Sequence, residues 1–507
     1  MAKKNNRKKS IDLEIGVENF GPIESGSIKL KPLTIFIGPN NSGKSYAAML
    51  IHSIFESYYS SAYIEGIPSF MNQQIIGAGI ERDSLLKEFP EIKEQIKQMK
   101  ATTEYEIEPE LLNKIIHEIF QAIYERRLRN EIIRSYACNL NELIRVEKEI
   151  FKIRITFNSW ETLLKSQKKE LQIEKYPELK INLKIKVVDS PELAFNVHED
   201  EGTILIEIRA SLKDKILPIL LNRIVVETLI ARILKKISVP CFYLPAARSG
   251  ILQGHKAMAA GLFRKAPFAG TEKFEIPTFS GVVADFISSV ITLPQNKGPF
   301  YALAKDFEHE LIDGEIDFKS VDKFLYPEIK YKFHKTEIPL HRTSSTVSEL
   351  APLFLYLKYN LEPGSLLIIE EPEAHLHPEN QRILAKYLVR LIRKGVYLVI
   401  TTHSEFLLEQ LNAFLLLSKV SPEKRVKSYK YKKEDFLYFD EVSACVFCHN
   451  QDKTGYKIEP LEITEEGISQ DEFQKIHEVL YEEKIRLIQE IENQNSNRIK
   501  KQNHPRQ

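Results

Sequence analysis

Four cysteines and one tryptophan are all that 507 residues contain of either type. So few cysteines make no disulfide framework and suit a reducing compartment. No run of ~18 consecutive apolar residues occurs, so no stretch reads as a membrane-spanning helix. Neither charge sign dominates: 71 basic residues stand against 70 acidic ones, for a net charge of +1. A contact with nucleic acid would therefore have to be a local patch rather than a property of the whole surface. The opening Met1–Ser10 is basic, but no apolar signal-peptide core follows it. The charged stretch from 81 to 150 reads as helical, interrupted by Pro90 and Pro109, and holds no heptad over several turns, which argues against a long coiled-coil arm. These absences together predict a cytoplasmic protein without a membrane partner. At 43% hydrophobic and 28% charged residues, the composition is that of a folded protein of two or three domains.

What is present centres on Ile35-Phe36-Ile37-Gly38-Pro39-Asn40-Asn41-Ser42-Gly43-Lys44-Ser45-Tyr46. An apolar strand runs into a loop bounded by Gly38 and Gly43, and a helix follows. The glycines let main chain close on phosphate oxygens where a Cβ would collide. N–H groups of Asn40, Asn41, Ser42 and their neighbours, with the helix N-terminus, supply positive partial charge. Lys44 neutralises β- and γ-phosphates, and the Ser45 hydroxyl can ligate Mg²⁺.

A second signal lies far downstream. Leu366-Leu367-Ile368-Ile369 is a short strand of the kind buried on both faces, and it ends in Glu370-Glu371. Two carboxylates at the end of a buried strand are costly unless a cation or a reaction employs them. Val396–Ile400 is another buried strand and leads to Thr401-Thr402-His403-Ser404. Alternating strands and helices here predict a parallel sheet with ligands at the carboxyl ends of its strands. Just upstream, Arg342–Leu350 is rich in hydroxyls before an apolar helix, a helix N-terminus and hence an anion site.

Taken together these stretches resemble the ABC-type ATPases. Gly38–Ser45 looks like their Walker A and Leu366–Glu371 like Walker B. Glu373–Pro378 looks like the D-loop, His403 like the switch histidine, and Thr343–Leu350 like the signature loop. Asn19-Phe20-Gly21 and the string Glu370-Glu371-Pro372-Glu373-Ala374-His375-Leu376-His377-Pro378 are similar to the soluble RecF/OLD group of that superfamily. The resemblance implies an α/β fold: a P-loop ATPase head with a mixed sheet, carrying a large α+β insertion. It also implies hydrolysis of ATP with Mg²⁺, at sites shared by a head-to-head homodimer or higher homo-oligomer. In that scheme Glu371 is the catalytic glutamate, assisted by His403 and Lys44. Ser45 and Glu370 serve the metal. Gly38, Asn40, Asn41, Ser42, Gly43, Lys44, Ser45 and Tyr46 hold ATP in cis, and Ser345 or Ser344 touches it in trans. Glu370 stands where transporters have Asp, and Thr346 where glycine is usual. The glutamine of the Q-loop is not identified; Gln73, Gln74 and Gln253 are candidates.

Ser45 and Glu370 are some 325 positions apart, whereas a compact domain has ~100–200 residues. The expected layout is therefore a basic tail over 1–9, the head's first part over 10–60 and an insertion over 61–240, helical and then β-rich. A connecting region over 241–327, the head's second part over 328–418 and C-terminal strands and a helix over 419–507 complete it. OLD nucleases add a Toprim domain needing an Asp-x-Asp pair; none follows His403. The function expected is a stand-alone ATPase, the sensor or scaffold of an antiphage defence system, with a separate effector protein such as a nuclease. The alternatives are a RecF-like repair ATPase that clamps DNA and an ATP-dependent protein scaffold.

Several signals stay outside this scheme. Cys445–His449 matches a haem-attachment pattern within a strand-like stretch and is read as coincidence. His375 and His377 are read as loop residues rather than metal ligands. Phe20 is more often core than a platform for a base. Arg248 could reach phosphate or be an ordinary surface arginine. Lys424–Lys433 reads either as a nucleic-acid contact or as an edge strand guarded by lysines. Phe436–Phe439 reads as a strand, and 216–237 as an amphipathic helix.

Overall fold

The structure is a computed structural model that describes residues 13–62, 104–120, 125, 127–157, 160–167, 170–175, 182–189, 195–200, 203–209, 239–254, 279–319, 328–452 and 454–502. The basic tail, the stretch 81–103, the helix expected over 216–237, the segment 255–270, Gln73 and Gln74 lie outside the described residues.

Its frame is one sheet of eleven strands. In chain order the first strands are β1 (Leu13–Phe20), β2 (Ile23–Leu30), β3 (Leu33–Ile37) and β4 (Glu104–Glu106). Next come β5 (Lys152–Phe157), β6 (Trp160–Gln167), β7 (Glu170–Lys175), β8 (Asn182–Val188), β9 (Phe195–Asp200) and β10 (Thr203–Arg209). Then follow β11 (Cys241–Leu244), β12 (Glu315–Lys319), β13 (Glu328–Phe333) and β14 (Thr336–Pro339). The last ones needed here are β15 (Leu366–Glu370), β16 (Tyr397–Thr402), β17 (Val442–His449) and β18 (Tyr456–Leu461).

The large sheet runs β11-β15-β16-β3-β17-β18-β2-β1-β5-β6-β7. Its first five strands are parallel, and most of the rest pair antiparallel, so the sheet is mixed. This is the α/β head architecture expected from the sequence. Strands β5–β7 continue the head's own sheet through β1, and β17 lies at its centre beside β3. A four-stranded sheet (β4-β8-β10-β9) and a three-stranded one (β12-β13-β14) are separate from it.

The parallel strands are apolar throughout because both faces are covered. Along β15, Leu366 and Ile368 enter one core, while Leu367 and Ile369 enter the other. On one face packs α1 (Lys44–Ala62), with α2 (Pro109–Phe120) and α3 (Arg129–Tyr136) further along. Across the sheet, α4 (Gly281–Ile291), α5 (Tyr301–Ile312), α6 (Ser345–Leu355), α7 (Pro378–Arg393) and α8 (Glu405–Leu417) supply most of the second core. A side chain such as Leu367, fully enclosed there, contributes about 1.5–3 kcal/mol on burial.

Three expectations are corrected. Pro109 begins α2 rather than interrupting a helix, since its missing N–H costs nothing at a first turn. Phe436–Phe439 is not a strand: it is coil entering a single 3₁₀ turn over Phe439–Glu441. Lys424–Lys433 is not an edge strand either. Its first part is a short helix, α9 (Pro422–Lys427), capped by Ser421. Arg425 there is buried, donating to the carbonyls of Leu417, Ser418 and Lys433. Phe20 is core: it is fully buried with its ring edge-on to Tyr46, Tyr136 and Phe151.

Candidate nucleotide site

Register brings the separated motifs to one edge. Glu370 on β15 stands opposite Thr401 on β16, and Thr402 stands opposite Ile37 on β3. The three strands are parallel, so the residues leaving them, Glu371, His403 and Gly38, emerge side by side.

The loop after β3 needs its glycines for stated reasons. Gly38 has φ +144, and a Cβ there would lie 2.5 Å from the carbonyl oxygen of Phe447 on β17. Gly43 has φ +99, and a Cβ would press on Ile23 at 2.8 Å. Asn41 takes a left-handed φ of 61, which Asn tolerates better than most residues. Asn40, Asn41 and Ser45 are exposed, whereas Ser42 and Lys44 are buried. Lys44 Nζ donates to the carbonyls of Gly38 (2.9 Å) and Pro39 (2.7 Å). Burial pulls its pKa down to about 8, against the opposing pull of Glu371, Glu370 and Glu373. Tyr46 turns its ring to Phe20, Tyr136 and Gly21.

On the opposite side, His403 Nε2 lies 3.7 Å from Glu371 Oε1. Burial and nearby Lys44 hold the imidazole below its usual pKa, with Glu371 pulling the other way. The Glu371 main chain takes φ +44, and its N–H donates to the carbonyl of Thr401 at 3.0 Å. Glu370 is buried. Its Oε1 accepts from the Tyr243 hydroxyl (2.8 Å) and its Oε2 from Ala246 N–H (3.1 Å). Glu373 Oε1 accepts from the Thr402 hydroxyl (2.6 Å) and His403 N–H (2.9 Å), and burial raises its pKa. The Ser45 hydroxyl and the Glu370 carboxylate are all-oxygen donors with lone pairs to spare, a set that fits a hard divalent cation such as Mg²⁺.

Ser344 and Ser345 are exposed at the start of α6. Ser344 is its N-cap, accepting from Val347 N–H at 3.3 Å. Thr346 donates to the carbonyl of His375 (3.0 Å), tying this loop to the stretch after β15. His377 caps α7 through Nδ1, a structural role. Cys445 and Cys448 both lie on β17, three residues apart and so on opposite faces. Gln253 is exposed, on a turn of helix after β11.

Sequence reasoning misjudged Arg248. It is neither a surface arginine nor free for phosphate: it is 2% exposed and donates to the carbonyls of Glu349, Glu370 and Glu371. Tyr243, Ala246 and Glu349 were missed. The one available signal was Glu349 itself, an acid inside an apolar helical run, which needs a buried cation.

The model of the AAA ATPase domain family matches residues 13–199 and 284–408, more than half of the sequence. The chain belongs to this family, whose domain binds and uses ATP. No curated protein sequence matches it. Among solved structures it is similar to an SMC head bound to the C-winged helix domain of ScpA, at 12% identity and a TM-score of 0.36, over 90% of this chain and 99% of that one. The SMC head domain from Thermotoga maritima gives 10% identity and a TM-score of 0.33, over 89% and 98%. An Smc head domain with an extended coiled coil, bound to the C-terminal domain of ScpA derived from Pyrococcus furiosus, gives 12% and 0.34, over 93% and 99%. Among the described residues, no helix is long and apolar enough to cross a membrane.

Proposed function

We propose that the chain hydrolyses ATP between two copies of its head, as ABC-type ATPases of the RecF/OLD-like group do. The observation that carries this reading is the meeting of Lys44, Glu371 and His403 at the carboxyl edge of three parallel strands. Lys44 and the loop N–H groups would hold the phosphates. Ser45 and Glu370 would hold Mg²⁺, whose charge neutralises the β- and γ-oxygens when it is bound. Glu371 would orient or deprotonate the attacking water, with His403 donating to the γ-phosphate or to that water. Transfer of a phosphoryl group to water asks mainly for such positioning and charge. Ser345, at the N-terminus of α6, would close the site from the second copy.

Steady-state hydrolysis by wild type and Glu371→Gln tests this. The variant should bind ATP as wild type does and turn over on the order of 10²–10⁴-fold more slowly. Normal turnover would remove Glu371 from the role. At the level of the cell, we assign the protein to an antiphage assembly with a separate effector, a reading supported by the similarity of the Glu370–Pro378 string to the soluble RecF/OLD group. Native mass spectrometry of Glu371→Gln, purified with ATP from its host, would reveal that effector; bound nucleic acid without a protein partner would favour the DNA-repair reading instead.

A further inference from the structure

Strand β11 pairs with β15 only as far as Leu244 opposite Ile369. Ala246 N–H, the next donor on that edge, turns to the Glu370 carboxylate instead (3.1 Å), so β11 runs out one residue before β15 does. The carbonyl of Glu370 is left on that side without a ladder partner, and that of Glu371 accepts from Ala374 N–H at 3.0 Å. Arg248 reaches both. Its Nη1 donates to Glu370 O at 2.8 Å and its Nη2 to Glu371 O at 3.3 Å. Its Nε donates to Glu349 O on α6 at 3.1 Å and lies 3.4 Å from the Glu349 carboxylate. Both side chains are buried, and Ser249 adds its hydroxyl to Glu349 Oε1 at 2.5 Å.

One guanidinium thus spans two elements. It grips the turn in which Glu371 holds a left-handed φ of 44, a conformation that costs a non-glycine residue energy and needs support. Thr401 holds the same turn through the Glu371 N–H. The other end of the grip is the helix whose first residues are Ser344 and Ser345.

We infer that Arg248 and Glu349 are positioning residues that aim Glu371 and couple it mechanically to the N-terminus of α6. This rests on the reading of Glu371 as the hydrolytic carboxylate. A shift of α6 when phosphate engages Ser345 would pull on Glu349, and through Arg248 on the Glu370–Glu371 main chain. Turnover would then depend on occupancy of the second copy's site as well as on bound ATP.

The test uses the full chain with Mg²⁺ and ATP. It measures affinity with a fluorescent ATP analogue, turnover, and thermal midpoint for wild type, Glu371→Gln, Arg248→Lys and the double variant Arg248→Met/Glu349→Met. Removing both members of a buried pair leaves no orphaned charge, so the double variant should stay folded. It should bind the analogue within about twofold of wild type, yet lose about 10²-fold in turnover, the size expected from small misplacement of a reacting group. Arg248→Lys keeps the charge but cannot reach three carbonyls, and should lose turnover too with its midpoint held. A merely structural role would instead lower midpoint and affinity together. A folded double variant with wild-type turnover, while Glu371→Gln is slow, overturns the inference alone. If Glu371→Gln turns over normally, the underlying reading fails and the inference falls with it.

Discussion

The imidazole Nε2 of His403 lies 3.7 Å from Glu371 Oε1, though 32 residues separate the two in the chain. Glu373 fixes this relationship from beneath, since the oxygen that accepts from the Thr402 hydroxyl also accepts from His403 N–H. The loop after β15 therefore sets where β16 releases its histidine. Lys44 faces the same carboxylates from the phosphate loop, which is why its pKa responds to Glu371, Glu370 and Glu373.

Lys44 gives ATP binding a pH signature. With its pKa near 8 in the free protein, the ammonium loses its proton as pH rises past that value. Phosphates favour the charged form, so ATP binding at pH 8.5 should take up a proton, and affinity should fall as pH rises from 8 to 10. Calorimetry in two buffers of different ionisation heat measures the uptake; Lys44→Arg should abolish it. Buffer-independent heats in wild type would refute the assignment.

Ser345→Arg should place a bulky side chain at the exposed N-terminus of α6. The variant should bind ATP normally as a monomer and lose both ATP-dependent dimerisation and most turnover. Sedimentation with and without ATP checks this, and full turnover in the variant would exclude a shared site.

Arg390 on α7 forms a bidentate pair with Asp435, at 2.7 and 2.8 Å, in the second core. Asp435→Ala leaves that guanidinium buried without its partner and should cost about 3–5 kcal/mol. Arg390→Met/Asp435→Leu should cost much less. Urea unfolding of the three proteins separates the cases; equal midpoints for single and double variants would contradict the argument.

Glu56 on α1 lies near Asp285 and Glu131, which Arg134 bridges through hydrogen bonds to both. Burial and these two carboxylates raise its pKa to about 7, with Arg134 opposing them. Between its ordinary value of 4.5 and 7, the folded state keeps a proton that the unfolded chain has lost, so stability falls as pH rises through that window. Glu56→Gln carries no such penalty. It should be more stable than wild type at pH 8, by on the order of 1–3 kcal/mol, and indistinguishable at pH 4. A gain that does not change with pH would show that packing, not titration, governs the site.

The sequence by itself determined the parts whose physics is local. Gly38, Gly43, Lys44 and Ser45 lie within one loop, and its backbone demands are written in adjacent residues. The buried strand ending in Glu370-Glu371 was legible for the same reason, as was the hydroxyl-rich start of α6. Only the tertiary structure decided what surrounds them. Whether Phe20 meets a base or the core depends on Tyr136 of α3 and on Phe151 just before β5, which lie over a hundred residues downstream. That β17 enters the sheet centre beside β3 follows from parallel pairing, which leaves no mark on the spacing of either strand. Arg248 could be placed only once it was known that β11 stops one residue short of β15 and that Glu349 waits beneath. Hydrogen bonds to main-chain carbonyls depend on where strands end and on register. Those are properties of the assembled sheet, not of the residue types that form them.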